Sequence, residues 1–265
     1  MRYKDAEEFK NANGYKIEST WYPRVTKIIE IKSKPGLEGF FKEVGSYQDA
    51  EDIKNNSAKE GSLVHSVIGK LAVGEAVEVP DGIKAAAFAF QRFKEEKKII
   101  FFPEFIERQI WSPRYRYAGT IDALVLMGGK FGVLDIKTST GFYPEYNLQT
   151  AAYVTALQEF ATKKALALPR DITTRWILRV DQYKTCKKCG STLRNKGGRE
   201  KVRNGRLNGA ISCMEDKHDW GEIRGEADLR EFPYNLYQDT KAFVAAKILW
   251  EWENNYWLRQ IGYLK

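Results

Sequence analysis

The sequence predicts an α/β fold in which helices flank a central mixed sheet. Between about residues 38 and 97 the apolar residues recur with helical spacing, whereas residues 99–137 alternate as strands do and contain two short turn sequences. A further helix and two further strands follow, and this order is typical of a sheet that is covered by helices. A hydrophobic content of 43% over 265 residues is sufficient for a sizeable core.

Two helices are predicted ahead of the sheet. The first covers residues 57–71 and carries His65. The second covers residues 83–97, where Ile83, Ala87 and Phe90 share one face. Both helices are expected to pack on the strands that follow them.

Three strands form a predicted meander. A strand over residues 99–111 ends at a turn at 112–114, and its partner returns over residues 117–126. A Gly-Gly-Lys hairpin turn at 128–130 leads into a third strand over residues 131–137. The later elements are a helix over 145–161, strands over 173–180 and 222–230, and a closing helix over 236–257.

The chain is basic, with a formal net charge of +8 and an isoelectric point of about 9.2. Lysine and arginine release counterions from nucleic acid, so this charge favours a phosphate-bearing partner. The first residues are polar and no run approaches the roughly 18 uncharged apolar residues of a membrane span. We therefore expect an intracellular protein without a membrane partner.

Two carboxylates and a lysine stand on the predicted central strands. Asp135 and Lys137 are two residues apart, so their side chains point to one face while Ile136 turns to the core. Asp122 lies on the neighbouring strand and can reach the same place. Carboxylate oxygens hold a hard cation such as Mg²⁺, which lowers the pKa of a bound water, and a lysine can orient that water. The set predicts phosphodiester hydrolysis.

These residues could also have no catalytic role, because Asp-x-Lys is a common pattern. Asp135 and Lys137 would then form an exposed pair on one face, and Asp122 would be a turn residue. The neighbouring residues are apolar, however, as Val133 and Leu134 illustrate. Unpaired charges are costly in buried strands, so this context favours a functional site.

A set of motifs occurs in the order found in one group of nucleases. The motifs are Glu60-Gly61-x3-His65, Ile106-Glu107, Gly119-x2-Asp122, Asp135-x-Lys137-Thr138-Ser139 and Gln149-x3-Tyr153. The sequence thereby resembles the PD-(D/E)XK nuclease superfamily, in its RecB-type and phage-exonuclease branch. Trp21–Ile29 together with Lys34-Pro35-Gly36-Leu37 is similar to the opening of phage members. The resemblance covers about residues 20–182, resumes after residue 221, and implies a restriction-endonuclease-like fold.

The resemblance implies a role for each of these side chains. The ligands of Mg²⁺ or Mn²⁺ would be His65, Asp122, Asp135 and the backbone carbonyl of Ile136. Lys137 would be the catalytic lysine, and Glu107 would contact a second metal ion or a structural partner. Gln149 and Tyr153 lie four apart, hence on one helical face, and would position the scissile strand or support the catalytic groups.

The resemblance also implies a substrate and a setting. DNA is implied rather than RNA, and an exonuclease rather than an endonuclease, because the relatives that look most similar process DNA ends. A helicase or a recombination protein would be a partner, in the cytoplasm of a bacterial, archaeal or phage-infected host cell. Ile121 stands where the superfamily has its proline, and Arg24 stands where phage relatives often carry serine. The four cysteines of an iron–sulfur cluster are absent, so none is predicted.

The cysteines predict a second metal site. Cys186-x2-Cys189 and Cys213-x4-His218 have the spacing of a closed, structural Cys3His zinc site in a reducing compartment. Residues 183–221 are rich in cations and poor in large apolar side chains. This segment therefore has too little core to fold by itself and needs a bound metal to stabilise it. It is predicted to be a zinc-ribbon subdomain inserted into one domain over residues 1–265, the alternative being a solvated charged loop. The DNA contacts expected on it are Lys187, Lys188, Arg194, Lys196 and Arg199.

Two other functions stay open on the sequence. A non-catalytic or partner-dependent DNA-binding module with the same fold would use the ribbon but has no need of clustered carboxylates. A metal-dependent hydrolase of another substrate would not need the basic insertion or the Gln149 and Tyr153 pair. Loss of cleavage by an Asp135→Ala variant that still binds DNA would separate both from a nuclease.

Overall fold

The computed structural model of the chain describes residues 3–32, 40–205, 213–214 and 217–265. Its centre is a seven-stranded mixed sheet with helices on both faces, as the sequence predicts. Two features named above, Lys34-Pro35-Gly36-Leu37 and residues 206–212 of the insertion, lie outside the described residues. No helix in the described part of the chain is long and apolar enough to cross a membrane.

The N-terminal elements pack beside the sheet. They are α1 (Ala6–Asn13), β1 (Gly14–Ile17), β2 (Thr20–Pro23) and α2 (Val25–Ile29). Asp5 caps α1 by accepting a hydrogen bond from the backbone N–H of Glu8. Phe9 of α1 is fully buried and its ring stacks on Trp257, so the two ends of the chain meet in one core.

Helix α3 (Tyr47–Val73) carries His65 and begins well before residue 57, the predicted start. Its first turns are largely exposed, so no apolar repeat marks them in the sequence. The side chain of Ser46 caps the helix, and Gly74 ends it in the left-handed conformation at φ 79°. The prediction was therefore correct for the buried part of the helix only.

Helix α4 (Lys84–Glu96) lies where the sequence predicts it. Together with α3 it covers one face of the central sheet, and the core between them contains the buried side chains of Ile68, Phe90, Trp176 and Leu178. Apolar spacing located this helix because its apolar residues recur on one face from Ile83 to Phe93.

The predicted meander is more broken than its sequence pattern indicates. Its strands are β3 (Ile100–Phe101), β4 (Arg108–Ser112), β5 (Tyr117–Ile121), β6 (Ala123–Met127) and β7 (Lys130–Lys137). The single strand predicted over 99–111 is wrong, because a 3-10 turn at Pro103–Phe105 separates β3 from β4. The single strand predicted over 117–126 is also wrong, because it breaks at Asp122. Strand β5 pairs with β4 in a separate sheet, whereas β6 pairs with β7 in the central one.

The long strand β8 (Thr174–Cys186) lies in the middle of the central sheet and has partner strands on both of its edges. Its partners are β7, β9 (Thr192–Lys196) and β11 (Trp220–Glu231). Strand β9 forms a hairpin with β10 (Arg199–Arg203). The strand order is β10-β9-β8-β7-β6-β3, and β11 also pairs with β8. Only the pairing of β7 with β8 is parallel among these described strands.

Strands β7 and β9 share one edge of β8. Strand β11 pairs with residues 176–186 of β8 and so occupies the opposite edge. Strand β7 pairs with residues 174–179, and β9 pairs farther along with Lys184 and Thr185. The basic hairpin of the insertion therefore extends the sheet just beyond the end of β7, where Lys137 lies.

Four helices complete the second face and the C-terminus. They are α5 (Pro144–Gln158), α6 (Phe160–Ala165), α7 (Leu236–Glu253) and α8 (Asn255–Gln260). The single helices predicted over 145–161 and 236–257 are each interrupted, at Glu159 and at Asn254. The Glu159 carboxylate accepts a hydrogen bond from the backbone N–H of Arg114 at 3.0 Å. Such a tertiary contact leaves no mark on a helical sequence pattern.

Candidate metal and catalytic site

Asp122 occupies the break between β5 and β6. Its carboxylate oxygen Oδ2 accepts a hydrogen bond from the backbone N–H of Ile136 at 2.5 Å. The ladder between β6 and β7 ends at Ala123 and Leu134, so this N–H has no strand partner on that side. The break in the strand therefore lets a side chain take the place of a backbone acceptor, beside the strand that carries Asp135 and Lys137.

His65 and Glu107 approach Asp122 from outside the sheet. The Nδ1 atom of His65, on α3, lies 3.5 Å from Oδ1 of Asp122 and 3.9 Å from Oε1 of Glu107. Glu107 has φ +48°, a left-handed conformation that is strained for a residue with a side chain, and its N–H donates to the Asp122 carbonyl. One ligand atom of each residue lies within 4.8 Å of the others. His65 and Glu107 also line an open cavity of about 630 Å³.

Asp135 is fully buried beside this cluster. Neither of its carboxylate oxygens has a hydrogen-bond partner among the described residues, although Nζ of Lys137 lies 2.7 Å from Oδ2. The carboxylate is not part of the 4.8 Å cluster of His65, Glu107 and Asp122. One ammonium leaves most of the acceptor capacity of this buried carboxylate unused, and a bound cation would use it.

A chain of hydrogen bonds leads from Lys137 to helix α5. Nζ of Lys137 donates to Oε1 of Gln149 at 3.1 Å, and Nε2 of Gln149 donates to the hydroxyl of Tyr153 at 2.9 Å. The ring of Tyr153 packs on Gly119, where an added Cβ would lie 2.5 Å from Cε1 of the ring. The glycine of the Gly119-x2-Asp122 motif is thus required for close approach of α5 to β5.

The balance of burial and neighbouring charges raises the pKa of Asp135 and lowers the pKa of Asp122. Burial raises the pKa of Asp135 to about 6, with Lys137 opposing and Asp122 reinforcing the effect. Burial also disfavours the charged form of Asp122, but His65 and Lys137 outweigh it and lower the pKa of Asp122. Burial would lower the pKa of His65, and Asp122 outweighs it, so that pKa is raised. The neighbouring charges therefore favour the ionised form of Asp122, whereas burial favours the protonated form of Asp135.

The donor set of this region fits a hard divalent cation. Carboxylate oxygens with one imidazole nitrogen are ligands that suit Mg²⁺ and Mn²⁺. The residues that could hold such an ion are His65, Glu107, Asp122 and Asp135. The unbonded oxygens of Asp135 are the polar atoms that an ion would satisfy.

Tyr146 is a residue of this region that sequence reasoning missed. The ammonium of Lys137 lies 5.0 Å from the centre of its ring, in the geometry of a cation–π contact. Tyr146, Gln149 and Tyr153 are spaced i, i+3 and i+7 on α5, so one face of the helix is turned toward Lys137. That spacing is visible in the sequence and would have identified Tyr146.

The cysteines and the second histidine meet at the ends of β8 and β11. Ligand atoms of Cys186, Cys189, Cys213 and His218 all lie within 4.8 Å of one another. The Sγ atom of Cys189 is 3.5 Å from Nδ1 of His218, close to the edge of about 3.6 Å in a tetrahedral zinc site. The backbone N–H of Cys213 and the hydroxyl of Ser191 lower the pKa of Cys189 to about 5, which favours the thiolate. This cluster could hold a metal ion.

The cations expected to contact DNA fall into two groups. Lys187 and Lys188 are exposed on the turn between the first two cysteines. Arg194, Lys196 and Arg199 instead make contacts within the protein. Arg194 forms an ion pair with Asp181 at 2.6 Å, Arg199 pairs with Glu43 at 2.8 Å, and Lys196 donates to the hydroxyl of Thr138 at 2.5 Å.

Comparison with known proteins yields remote structural similarity but no match in sequence. No protein-family model matches the chain, and no curated protein matches it. A solved structure similar to it is that of LHK-Exo in complex with dAMP, with a TM-score of 0.35 and 13% sequence identity. That alignment covers 92% of this chain and 95% of the other.

Proposed function

We propose that this chain is a divalent-metal-dependent nuclease of the PD-(D/E)XK type that hydrolyses phosphodiester bonds in DNA. The observation that carries the proposal is the convergence of Asp122 with the Asp135 and Lys137 pair, at the ends of β6 and β7. The Asp135 carboxylate is fully buried, and the Lys137 ammonium is its one ion-pair partner among the described residues. A site that binds a cation accounts for its presence.

Asp122, Asp135 and His65 are the proposed metal ligands, together with the carbonyl of Ile136. In a strand the N–H and C=O of one residue point to the same edge, and the Ile136 N–H donates to Asp122. The carbonyl is therefore directed toward Asp122 as well. Glu107 stands as close to His65 as a further ligand would. A bound divalent cation would neutralise charge on the attacked phosphate and lower the pKa of a bound water.

Lys137 is the proposed catalytic lysine. Asp135, Gln149 and the ring of Tyr146 hold its ammonium, and although burial lowers the pKa of Lys137, Asp135 and Asp122 outweigh it and raise that pKa. The side chain therefore stays positively charged and can orient a water molecule and the phosphate. Gln149 and Tyr153 act as positioning residues in this proposal, because they fix Lys137 rather than reach outward.

The insertion is proposed to be a zinc ribbon within a single nuclease domain that spans residues 1–265. Cys186, Cys189, Cys213 and His218 would hold a structural Zn²⁺, and the mutual distances of their ligand atoms support this. Residues 183–221 would form the ribbon, and its cations would contact DNA phosphates. We propose an exonuclease that leaves 5′-phosphate and 3′-hydroxyl ends, by resemblance to the nucleases of the RecB and phage branch.

Digestion of end-labelled DNA tests the proposal. Single- and double-stranded DNA, linear and circular, would be incubated with Mg²⁺, Mn²⁺ or EDTA. We expect metal-dependent loss of linear DNA only, and a fall of about 10³-fold in a Lys137→Ala variant. The matched control is Lys130→Ala, which removes the same side chain at the opposite, exposed end of β7. Its cleavage rate should equal that of wild type.

The outcomes separate the alternatives. Cleavage of circular DNA that depends on Lys137 would support a nuclease but contradict the assignment as an exonuclease. If the wild type cleaves nothing in any metal yet binds DNA, the chain is a binding module or an enzyme that needs a partner. Equal cleavage by the Lys137→Ala variant would show that the reaction uses another site.

A further inference from the structure

The hairpin of β9 and β10 carries a cation at every second position. The cations are Arg194, Lys196, Arg199, Lys201 and Arg203. Alternate side chains of a strand lie on one face, and the register pairs Lys196 with Arg199 and Arg194 with Lys201. Both strands therefore present their cations to the same face of the sheet.

This face is the one that carries Lys137. The parallel register sets Lys137 beside Arg179, so the two side chains lie on one face, and Tyr183 lies on it four residues farther along β8. Lys184 pairs with Leu193 on β9, which puts Tyr183 and Arg194 together on the face of Arg179. The cationic face of the hairpin is thus a continuation of the catalytic face, beyond the end of β7.

A cavity of about 350 Å³ opens on this face. Six cations line it, namely Arg179, Arg194, Lys196, Arg199, Lys201 and Arg203. Two carboxylates, Asp181 and Glu226, also line it. The lining therefore has a positive excess that an anion would compensate.

Four of the six cations already have carboxylate partners. Arg179 pairs with Glu226, Arg194 pairs with Asp181, and Arg199 and Lys201 share Glu43. The remaining two have none within 4.0 Å in the part of the chain that the structure describes.

The two cations without such partners are Lys196 and Arg203. They donate instead to the backbone carbonyls of Thr138 and Thr140, the residues that follow Lys137. Burial, with the charge of Arg194, lowers the pKa of Lys196 to about 8. A phosphate bound beside Lys196 would favour the charged form of its side chain.

We propose that this cavity binds a phosphate group of the DNA strand that lies at the catalytic site, next to the phosphate that is cut. Thr138 and Thr140 connect the two places, since they lie within three residues after Lys137 and contact Lys196 and Arg203. A strand that leaves the site along the face of β7 and β8 reaches these cations next. The inference rests on the proposed function, because it assigns the phosphate to nucleic acid rather than to a free anion.

Binding in EDTA tests the inference without cleavage. The affinity of a fluorescently labelled single-stranded oligonucleotide would be measured over a range of salt concentrations for wild type, Lys196→Met and Arg203→Gln. We expect each variant to bind about tenfold more weakly, with the slope of log affinity against log salt smaller by about 0.7. The matched control is Lys184→Met, because this exposed lysine is on β8 but on the opposite face. Its affinity and its salt slope should be those of wild type.

Two results would overturn the inference. If Arg203→Gln binds the oligonucleotide as tightly as wild type, with the same salt slope, the cavity does not hold a phosphate of the strand. Arg203 is exposed, so this substitution is not expected to prevent folding. Equal losses in Lys184→Met would show that only the general charge of the ribbon matters. Inorganic pyrophosphate serves as competitor: if the two variants weaken its binding and leave oligonucleotide binding unchanged, the ligand is a free phosphate.

Failure of the proposed function gives a different pattern. A chain that cleaves no DNA in any metal, but whose oligonucleotide binding falls in Lys196→Met and Arg203→Gln and not in Lys184→Met, has the phosphate site without the nuclease activity. A chain that cleaves DNA and binds the oligonucleotide equally well in all variants has the activity without this site.

Discussion

The two clusters of metal-ligating side chains differ in how their members are distributed along the chain. The carboxylate cluster of His65, Glu107 and Asp122, taken with Asp135 beside it, draws on α3, the residue before β4, the break after β5 and the strand β7, and so spans residues 65–135. The cysteine cluster draws on the ends of β8 and β11, within residues 186–218. The first cluster exists only when the whole sheet is assembled, whereas the second depends on one insertion.

The clusters also differ in chemistry and in access. The first offers oxygen donors and one imidazole, and a cavity opens beside His65 and Glu107. The second offers three thiols and one imidazole, with Cys186 and Cys189 buried. An open site of hard donors is suited to catalysis by Mg²⁺ or Mn²⁺, and a closed site of soft donors is suited to structural zinc. Perturbing each cluster separately should therefore have separate consequences.

The largest effect is expected from removing charge in the carboxylate cluster. Asp122→Asn and Asp135→Asn each keep the shape of the side chain and remove a charge that would bind the metal. The metal would stabilise the transition state by several kcal/mol, so the rate of DNA cleavage should fall by at least about 10³-fold. Cleavage rates in Mg²⁺ would be measured beside zinc content. The control is Asp81→Asn, whose side chain is exposed. Cleavage near wild-type rates in both variants would contradict the assignment of these aspartates as metal ligands.

A smaller effect on cleavage is expected from breaking the cysteine cluster. Cys189→Ser should abolish binding of the zinc proposed for this cluster and destabilise the ribbon, because the binding energy of a structural zinc contributes to folding. Cleavage should fall by about tenfold rather than vanish, since Arg194 and Lys196 would hold Thr138 less firmly. Metal analysis, thermal unfolding and cleavage rates would be compared with wild type that has been chelated and resupplied with zinc. A protein that contains no zinc before mutation would remove the basis of this prediction.

The smallest effect is expected from a change that acts on packing alone. Gly119→Ala would bring a Cβ to 2.5 Å from the ring of Tyr153, and such overpacking costs about 1–3 kcal/mol of unfolding free energy. The shift of Tyr153 should also reduce cleavage, while zinc content stays unchanged. Gly45→Ala is the control, because no atom lies within 4 Å of the added Cβ. Equal unfolding free energies for the two variants would mean that the ring moves aside without cost.

The sequence pattern located elements well where burial is continuous, and poorly where a tertiary contact interrupts them. Helix α4 was predicted correctly because its apolar residues recur on one face from Ile83 to Phe93. The breaks at Asp122 and at Glu159 were missed, because no glycine or proline marks either of them. The Asp122 break is stabilised by the N–H of Ile136 and the Glu159 break by the N–H of Arg114. Hydrogen bonds between distant segments have no periodic signature.

For the candidate site, the residue types could be predicted and their arrangement could not. The motif order named Asp122, Asp135 and Lys137, and the spacing on α5 linked Gln149 to Tyr153. Nothing in the sequence placed Asp135 outside the cluster that Glu107 joins. The alternation of cations from Arg194 to Arg203 was likewise visible, but not the face on which it lies.

The sequence by itself therefore determined the α/β class, the identity of the charged and metal-ligating side chains, and the cationic alternation of the insertion. These properties follow from composition and from local periodicity, which depend on neighbours along the chain. The tertiary structure alone decided that the strand breaks at Asp122, that Asp135 is buried against Lys137, and that β9 continues the edge left by β7. Strand pairing and burial depend on contacts between distant residues, and only the folded chain brings those residues together.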